Sequence, residues 1–86
     1  MTETREIKIK RLRMRSWRRG IKEMDLILGG FADNGLSDLS DSDLDLYDRM
    51  LAENDHDLYQ WASGQCEAPE EFSRLLAEAV RKSGAV

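Results

Sequence analysis

The stretch Leu39-Ser40-Asp41-Ser42-Asp43-Leu44-Asp45-Leu46-Tyr47-Asp48-Arg49-Met50-Leu51 reads as a helix whose beginning is written into it. Ser40 is a good N-cap residue, and Asp43 three positions on makes an approximate capping box with Asp in place of Glu. Leu39 and Leu44 flank the cap at the positions of a hydrophobic staple. Asp41, Asp43 and Asp45 add negative charge where a helix N-terminus is partly positive. Leu44, Tyr47, Met50 and Leu51 then supply an inward stripe at helical spacing. The acidic run from Asp38 to Asp48 is a solvated, capped helix face and not a calcium loop, because it lacks that loop's glycine and terminal glutamate.

The same punctuation recurs on both sides. Downstream, Asp57 to Ser63 reads as a short helix with Leu58 and Trp61 inward and Gly64 as its C-cap. Pro69 then stands at a first helical position, Glu70 and Glu71 fill the first turn, and Phe72, Leu75, Leu76 and Ala79 form a stripe that runs to Arg81 and Lys82 before Gly84 closes it. Upstream, Ile21, Met24, Leu28 and Phe31 make one apolar stripe, which Gly29, Gly30 and Gly35 weaken and end. Arg11 to Gly20 is rich in good helix formers and holds Leu12. Period two appears only in Ile7-Lys8-Ile9-Lys10, too short to found a sheet. The expected fold is all-α, a compact bundle of four to five short helices. It is a single domain over 1–86, with residues 1–9 and 83–86 flexible.

A chain of 86 residues supports one modest core and leaves little room for a deep, water-excluding cleft, which favours binding over catalysis. Cys66 is the one cysteine and His56 the one histidine, so neither a disulfide nor a cluster with metal-ligand spacing is available within the chain. His56 reads as a solvated residue in a helix's first turn. No run approaches the ~20 apolar residues of a membrane span. The start, Met1 to Lys10, is polar and carries Glu3 and Glu6, unlike a secretory signal or an acid-poor transit peptide. The expectation is a complete cytoplasmic protein that is not an enzyme.

Charge is segregated along the chain. Between Arg5 and Lys22 lie Arg5, Lys8, Lys10, Arg11, Arg13, Arg15, Arg18, Arg19 and Lys22 against Glu6 alone, and the balance reverses from Glu23 onward. Such an arrangement implies an electric dipole with a basic end that orients on a partner.

Within the basic end, Trp17-Arg18-Arg19-Gly20-Ile21-Lys22-Glu23-Met24-Asp25 places a glycine between bulky cations and a carboxylate. Glycine costs a helix roughly 1 kcal/mol relative to alanine. Either the chain turns here between two helices, or a partner's backbone approaches closely at Gly20. With helical geometry throughout, Arg19 and Glu23 would share a face and make an ion pair worth about 0.2–0.5 kcal/mol. Trp17 stands equally for core or interface, whereas Trp61, beside Leu58, reads as core.

Arg19-Gly20-Ile21-Lys22-Glu23 resembles the RGxxE motif of the SdhE family, known in mitochondria as succinate dehydrogenase assembly factor 2. The surroundings are similar too: Met24-Asp25-Leu26-Ile27-Leu28 and Phe31 follow, then the helix start Leu39-Ser40-Asp41. A Leu-Tyr-x-Trp ending at Leu58-Tyr59-Gln60-Trp61 comes last, preceded by Glu53, Asp55 and Asp57. The resemblance covers roughly Arg11 to Val80 and departs at Gly30, where relatives often carry a basic residue, and at His56, where some have proline.

This resemblance implies a five-helix fold and a factor that binds the flavoprotein subunit of succinate dehydrogenase, and in some bacteria that of fumarate reductase, promoting covalent attachment of FAD. Arg19, Gly20 and Glu23 would be the functional core, with Trp17, Arg18 and Asp25 around it contacting the partner. The chain itself has no G-x-G-x-x-G fingerprint, so no stably bound cofactor is expected. A monomer pairing one to one with its client is implied by apolar stripes that one bundle uses up. The competing readings are a nucleic-acid-binding module on the basic helix, which the acidic remainder disfavours, and a toxin/antitoxin-type interaction module.

Overall fold

Thr4 starts the first helix: its hydroxyl accepts the Ile7 N–H at 3.2 Å, and the chain then coils from Arg5 to Ser16. The computed structural model describes residues 3–17 and 19–84. Its elements are α1 (Arg5–Ser16), α2 (Lys22–Met24), a π-helical stretch (Asp25–Gly29), α3 (Gly30–Gly35), a 3-10 turn (Leu36–Asp38), α4 (Asp41–Leu51), α5 (Asp55–Ser63) and α6 (Glu70–Ser83). α2, the π-helical stretch and α3 follow one another without a break as one rod, so the architecture is five helices, with no strand among the described residues. The all-helical expectation holds.

Helix boundaries shift where a cap was missed. α1 begins at Arg5 and not Arg11, and it includes Ile7–Lys10, whose alternation had looked strand-like. It therefore takes in Arg5–Ile9, set aside above as flexible. α5 begins at Asp55 and not Asp57, because the Asn54 side chain accepts the His56 N–H at 2.8 Å. His56 stands exposed in that first turn, as read. Pro69 lies one position before α6, with its carbonyl taking the N–H groups of Phe72 and Ser73. Elsewhere the punctuation holds: Ser40 Oγ accepts the Asp43 N–H at 3.1 Å, and Gly64 and Gly84 end α5 and α6 with φ of 84° and 71°. Asp43 does not return the capping bond; its carboxylate meets Arg74 at 2.7 Å.

Gly29 and Gly30 do not end the second helix. Both keep right-handed helical geometry inside the rod and serve close approach instead. The Trp17 indole lies against Gly29, where a Cβ would come 2.5 Å from its ring carbons. A Cβ on Gly30 would sit 3.1 Å from the Ser83 carbonyl oxygen, so a side chain there would press on the end of α6.

The core collects the predicted stripes. Leu12, Met24, Leu28, Phe31, Leu44, Tyr47, Met50, Leu58 and Leu75 are wholly buried, while Trp61 is partly buried and packs against Phe72 with ring centroids 6.4 Å apart. Tyr47 is the polar centre. Its ring tilts against Phe31 at 5.5 Å, and its hydroxyl lies 2.6 Å from Ser16 Oγ and 3.4 Å from the Leu28 carbonyl. α6 packs along α3, the π-helical stretch, α4 and α5 and closes the bundle.

The basic and acidic ends are not a dipole aimed outward, because they lie side by side. Arg5 pairs with Asp41 at 2.5 Å, Lys8 with Asp45, and Arg11 and Arg15 with Asp48 at 2.9 and 2.6 Å. The order of these pairs makes α1 and α4 parallel. Charges segregated in sequence are mixed in space, since the rod between α1 and α4 carries the chain back before the acidic helix begins. Hydrogen bonds from Arg11 hold the carboxyls of Asp48 and Glu3 below the usual carboxylate range.

Burial raises the Tyr47 phenol from 10.0 to about 12. A raised folded value means that stability is intact below the unfolded phenol's pKa near 10 and is lost as pH climbs toward the folded value. Urea midpoints measured from pH 8 upward will fall in this window. In Tyr47→Phe that component of the fall will be missing, at a cost of about 1 kcal/mol at neutral pH for the lost hydrogen bonds.

Candidate functional site

The chain from Arg19 to Ile21 is a turn and the rod begins only at Lys22, which decides between the two geometries left open by the sequence. Trp17 and Ile21 are extended, with ψ of 162° and 127°, so Arg19 and Glu23 do not share a helical face and make no ion pair. Ile21 is the N-cap of the rod through its carbonyl, which accepts the N–H groups of Met24 and Asp25 at 3.0 and 3.1 Å. Glu23 then falls in the first turn of the rod.

Arg19 points inward. Its guanidinium Nε donates to Asp55 Oδ1 at 2.8 Å, one terminal nitrogen to the Arg15 carbonyl at 3.0 Å, and the other to the Leu51 carbonyl at 2.9 Å. Those carbonyls sit near the ends of α1 and α4, where helices leave acceptors unsatisfied and favour a cation. The Arg19 side chain is only 11% exposed. Asp55 is shared: its other oxygen accepts the Gly20 N–H at 2.6 Å. The carboxylate of Asp25 accepts the Arg19 backbone N–H and draws the turn onto the rod.

What faces outward is a different set. Glu23 and Lys22 are exposed, and neither has an ion-pair partner among the described residues. Leu26 is 47% exposed, one helical turn from Glu23. Trp17 covers Gly29 with one face of its ring and remains 38% exposed, and Met14 on α1 is 71% exposed. Of the residues singled out from sequence, the structure brings Arg19, Gly20 and Asp25 into one network, leaves Trp17 and Glu23 on the surface, and Arg18 lies outside the described residues. Asp55 was missed as a member of the site. Its signal was faint: an acidic residue after a helix cap, one among several that precede Leu58.

Among the described residues no group of three or more His, Cys, Asp or Glu is placed to hold a metal ion, and no helix is long and apolar enough to cross a membrane. Fold and turn together define a small all-helical domain that presents one rigidly held surface turn. Residues 10–83 match the family model described as "flavinator of succinate dehydrogenase", and the chain belongs to that family.

Curated relatives named "succinate dehydrogenase assembly factor 2, mitochondrial" agree. The protein of Meyerozyma guilliermondii is 54% identical over 61 residues, covering 71% of this chain and 45% of the relative. That of Scheffersomyces stipitis is 49% identical over 61 residues, 71% of this chain and 41% of the relative. That of Schizosaccharomyces pombe is 43% identical over 70 residues, 81% of this chain and 50% of the relative. The chain thus spans about half the length of the curated relatives it matches. Their names place those relatives in mitochondria, and the cytoplasmic assignment is overturned by them. That assignment leaned on the first ten residues of a region that makes up only part of the relatives' length, so composition there does not carry the compartment.

Arg19 and Glu23 should separate cleanly in a stability measurement. Arg19→Ala leaves the Asp55 carboxylate and the Leu51 carbonyl without their cation, a loss of about 3 kcal/mol, which in a domain of this size lowers Tm by roughly 10 °C or more. Glu23→Ala removes no side-chain hydrogen bond or ion pair among the described residues and will stay within about 0.5 kcal/mol of wild type. Thermal melts followed by circular dichroism read both.

Proposed function

We propose that the domain binds the flavoprotein subunit of succinate dehydrogenase and promotes covalent attachment of FAD to it. The observation that carries this reading is the family match over residues 10–83, joined to a surface turn that the fold holds in place while leaving Glu23 exposed and, among the described residues, without an ion-pair partner. Glu23, Lys22, Leu26 and Trp17 offer one anion, one cation and two apolar groups on neighbouring positions of the turn and rod. That mixture suits a protein surface: the apolar groups supply burial, and the charges set register and reject wrong partners.

In this reading the domain is a binding factor and the covalent chemistry belongs to the client and its FAD. Its contribution is to stabilise, by binding one to one, the client conformation in which the flavin and its attachment residue meet, which needs only a better fit to that conformation than to others. The cofactor stays with the client. Arg19 and Asp25, expected to touch the partner, act from inside the turn, and the contacts fall to Glu23 and its exposed neighbours. Binding to nucleic acid loses much of its support, because Arg5, Lys8, Arg11 and Arg15 of α1, which would meet phosphates, are paired with the aspartates of α4.

In-gel flavin fluorescence of the denatured flavoprotein subunit tests the proposal, using cells that lack this protein and are complemented by wild type or by Glu23→Ala. The covalent flavin signal should vanish in the deletion, return with wild type, and stay at roughly a tenth or less with Glu23→Ala, as for the loss of an interface hot spot. A full signal in the deletion would overturn the assignment to this client.

A further inference from the structure

Gly20 belongs to the turn, yet nothing in its backbone conformation calls for glycine. Among the described residues the glycines with positive φ are Gly64 and Gly84. The reason lies in its neighbour. A Cβ on Gly20 would come 3.2 Å from Asp55 Oδ2, the same oxygen that accepts the Gly20 N–H at 2.6 Å. A methyl group there needs the carboxylate to retreat by a few tenths of an ångström.

Asp55 has little freedom to do so. Its other oxygen is held by Arg19 Nε at 2.8 Å, and Arg19 is itself anchored on the Arg15 and Leu51 carbonyls. Its backbone is held too, since Asp55 opens α5 directly behind the Asn54 cap. The carboxylate is thus pinned on both sides, and its ion pair with Arg19 is largely shielded, with the two side chains 11% and 18% exposed, although Gly20 itself lies at the surface.

We propose that Arg19, Gly20 and Asp55 form an internal clasp, that residue 20 is glycine to admit the Asp55 carboxylate, and that Asp55 is a positioning residue acting on the partner through Glu23. Tension in the clasp is passed on by short links. The Arg19 N–H is held by Asp25, and Asp25 lies two residues after Glu23 on the same rod. Loosening Asp55 therefore frees the turn that orients Glu23, although Asp55 stands in another helix. The inference rests on the client reading above and replaces one of its natural assumptions, that the glycine makes room for the client's backbone.

A double-mutant cycle separates the two explanations. Affinity for the purified flavoprotein subunit is measured by calorimetry for wild type, Gly20→Ala, Asp55→Ala and the double variant, each well below its own Tm so that a loss of stability alone does not register. Each single variant should bind roughly tenfold more weakly, and the double variant no more weakly than Asp55→Ala, because the methyl group then has nothing to displace. Equal losses from Gly20→Ala in both backgrounds would mean that the partner requires the glycine and would overturn the clasp. So would wild-type affinity in Asp55→Ala.

Amide hydrogen exchange at Gly20 in the free domain reads the clasp without any client. Exchange should accelerate at least tenfold in Asp55→Ala, and also, to a smaller extent, in the gentler Asp55→Asn, which keeps one acceptor oxygen. Unchanged exchange overturns the clasp, whereas accelerated exchange together with a wild-type domain that fails to bind the flavoprotein would sink the client reading instead.

Discussion

Tyr47 is the point on which the bundle closes. It is wholly buried, its ring rests on Phe31 of α3, and its hydroxyl is bonded to Ser16 at the end of α1 and to the Leu28 carbonyl in the rod. Two elements remote from α4 in sequence, α1 and the rod, meet at one of its side chains. An apolar residue of that size would fill the space but leave the Ser16–Leu28 side of the core with polar groups to satisfy, and buried polar groups without partners are costly. Ser16 is wholly buried beside Tyr47, and its hydroxyl also returns to the Leu12 carbonyl at 2.8 Å, which closes the last turn of α1 just before the chain leaves the helix.

Around that centre the charges decide orientation more than stability. Each exposed pair between α1 and α4 contributes little alone, about 0–1 kcal/mol. A row of cations at intervals of three and four, facing aspartates at similar intervals, nevertheless rejects the alternative in which α1 docks reversed or on another face. The same pairing draws the positive charge of α1 into the fold. What remains outside on the turn is a small mixed surface, not a basic field.

The turn shows how a rigid site is made from weak local propensities. Arg19–Ile21 forms no regular structure, yet it is tied down: the Arg19 guanidinium is taken by α1, α4 and Asp55, the Arg19 N–H by Asp25, and the Gly20 N–H by Asp55. Trp17 is laid on the bare backbone of Gly29. In Arg19-Gly20-Ile21-Lys22-Glu23, the five residues that look like one motif, the Arg19 side chain and the Gly20 N–H are committed to contacts within the protein, while Glu23 stands exposed with no ion-pair partner among the described residues.

Sequence alone determined the helical class, the inward stripes and most of the caps, because periodicity and capping act within a few residues of each other. Met24, Leu28 and Phe31, then Leu44, Tyr47 and Met50, then Phe72, Leu75 and Leu76 were all legible in this way, as were Ser40, Gly64 and Gly84. The family resemblance was legible for the same reason, since it rests on order and spacing. Tertiary structure decided what long-range contact decides. Asp55 joined the site because α5 begins beside the turn, and no local rule links residues 19 and 55. Gly29 and Gly30, read as helix enders, became contact surfaces because Trp17 and Ser83 needed bare backbone to lie against. Arg19, read as reaching outward, turned inward because the ends of two helices and a carboxylate converge there, offering acceptors that only a buried cation could satisfy.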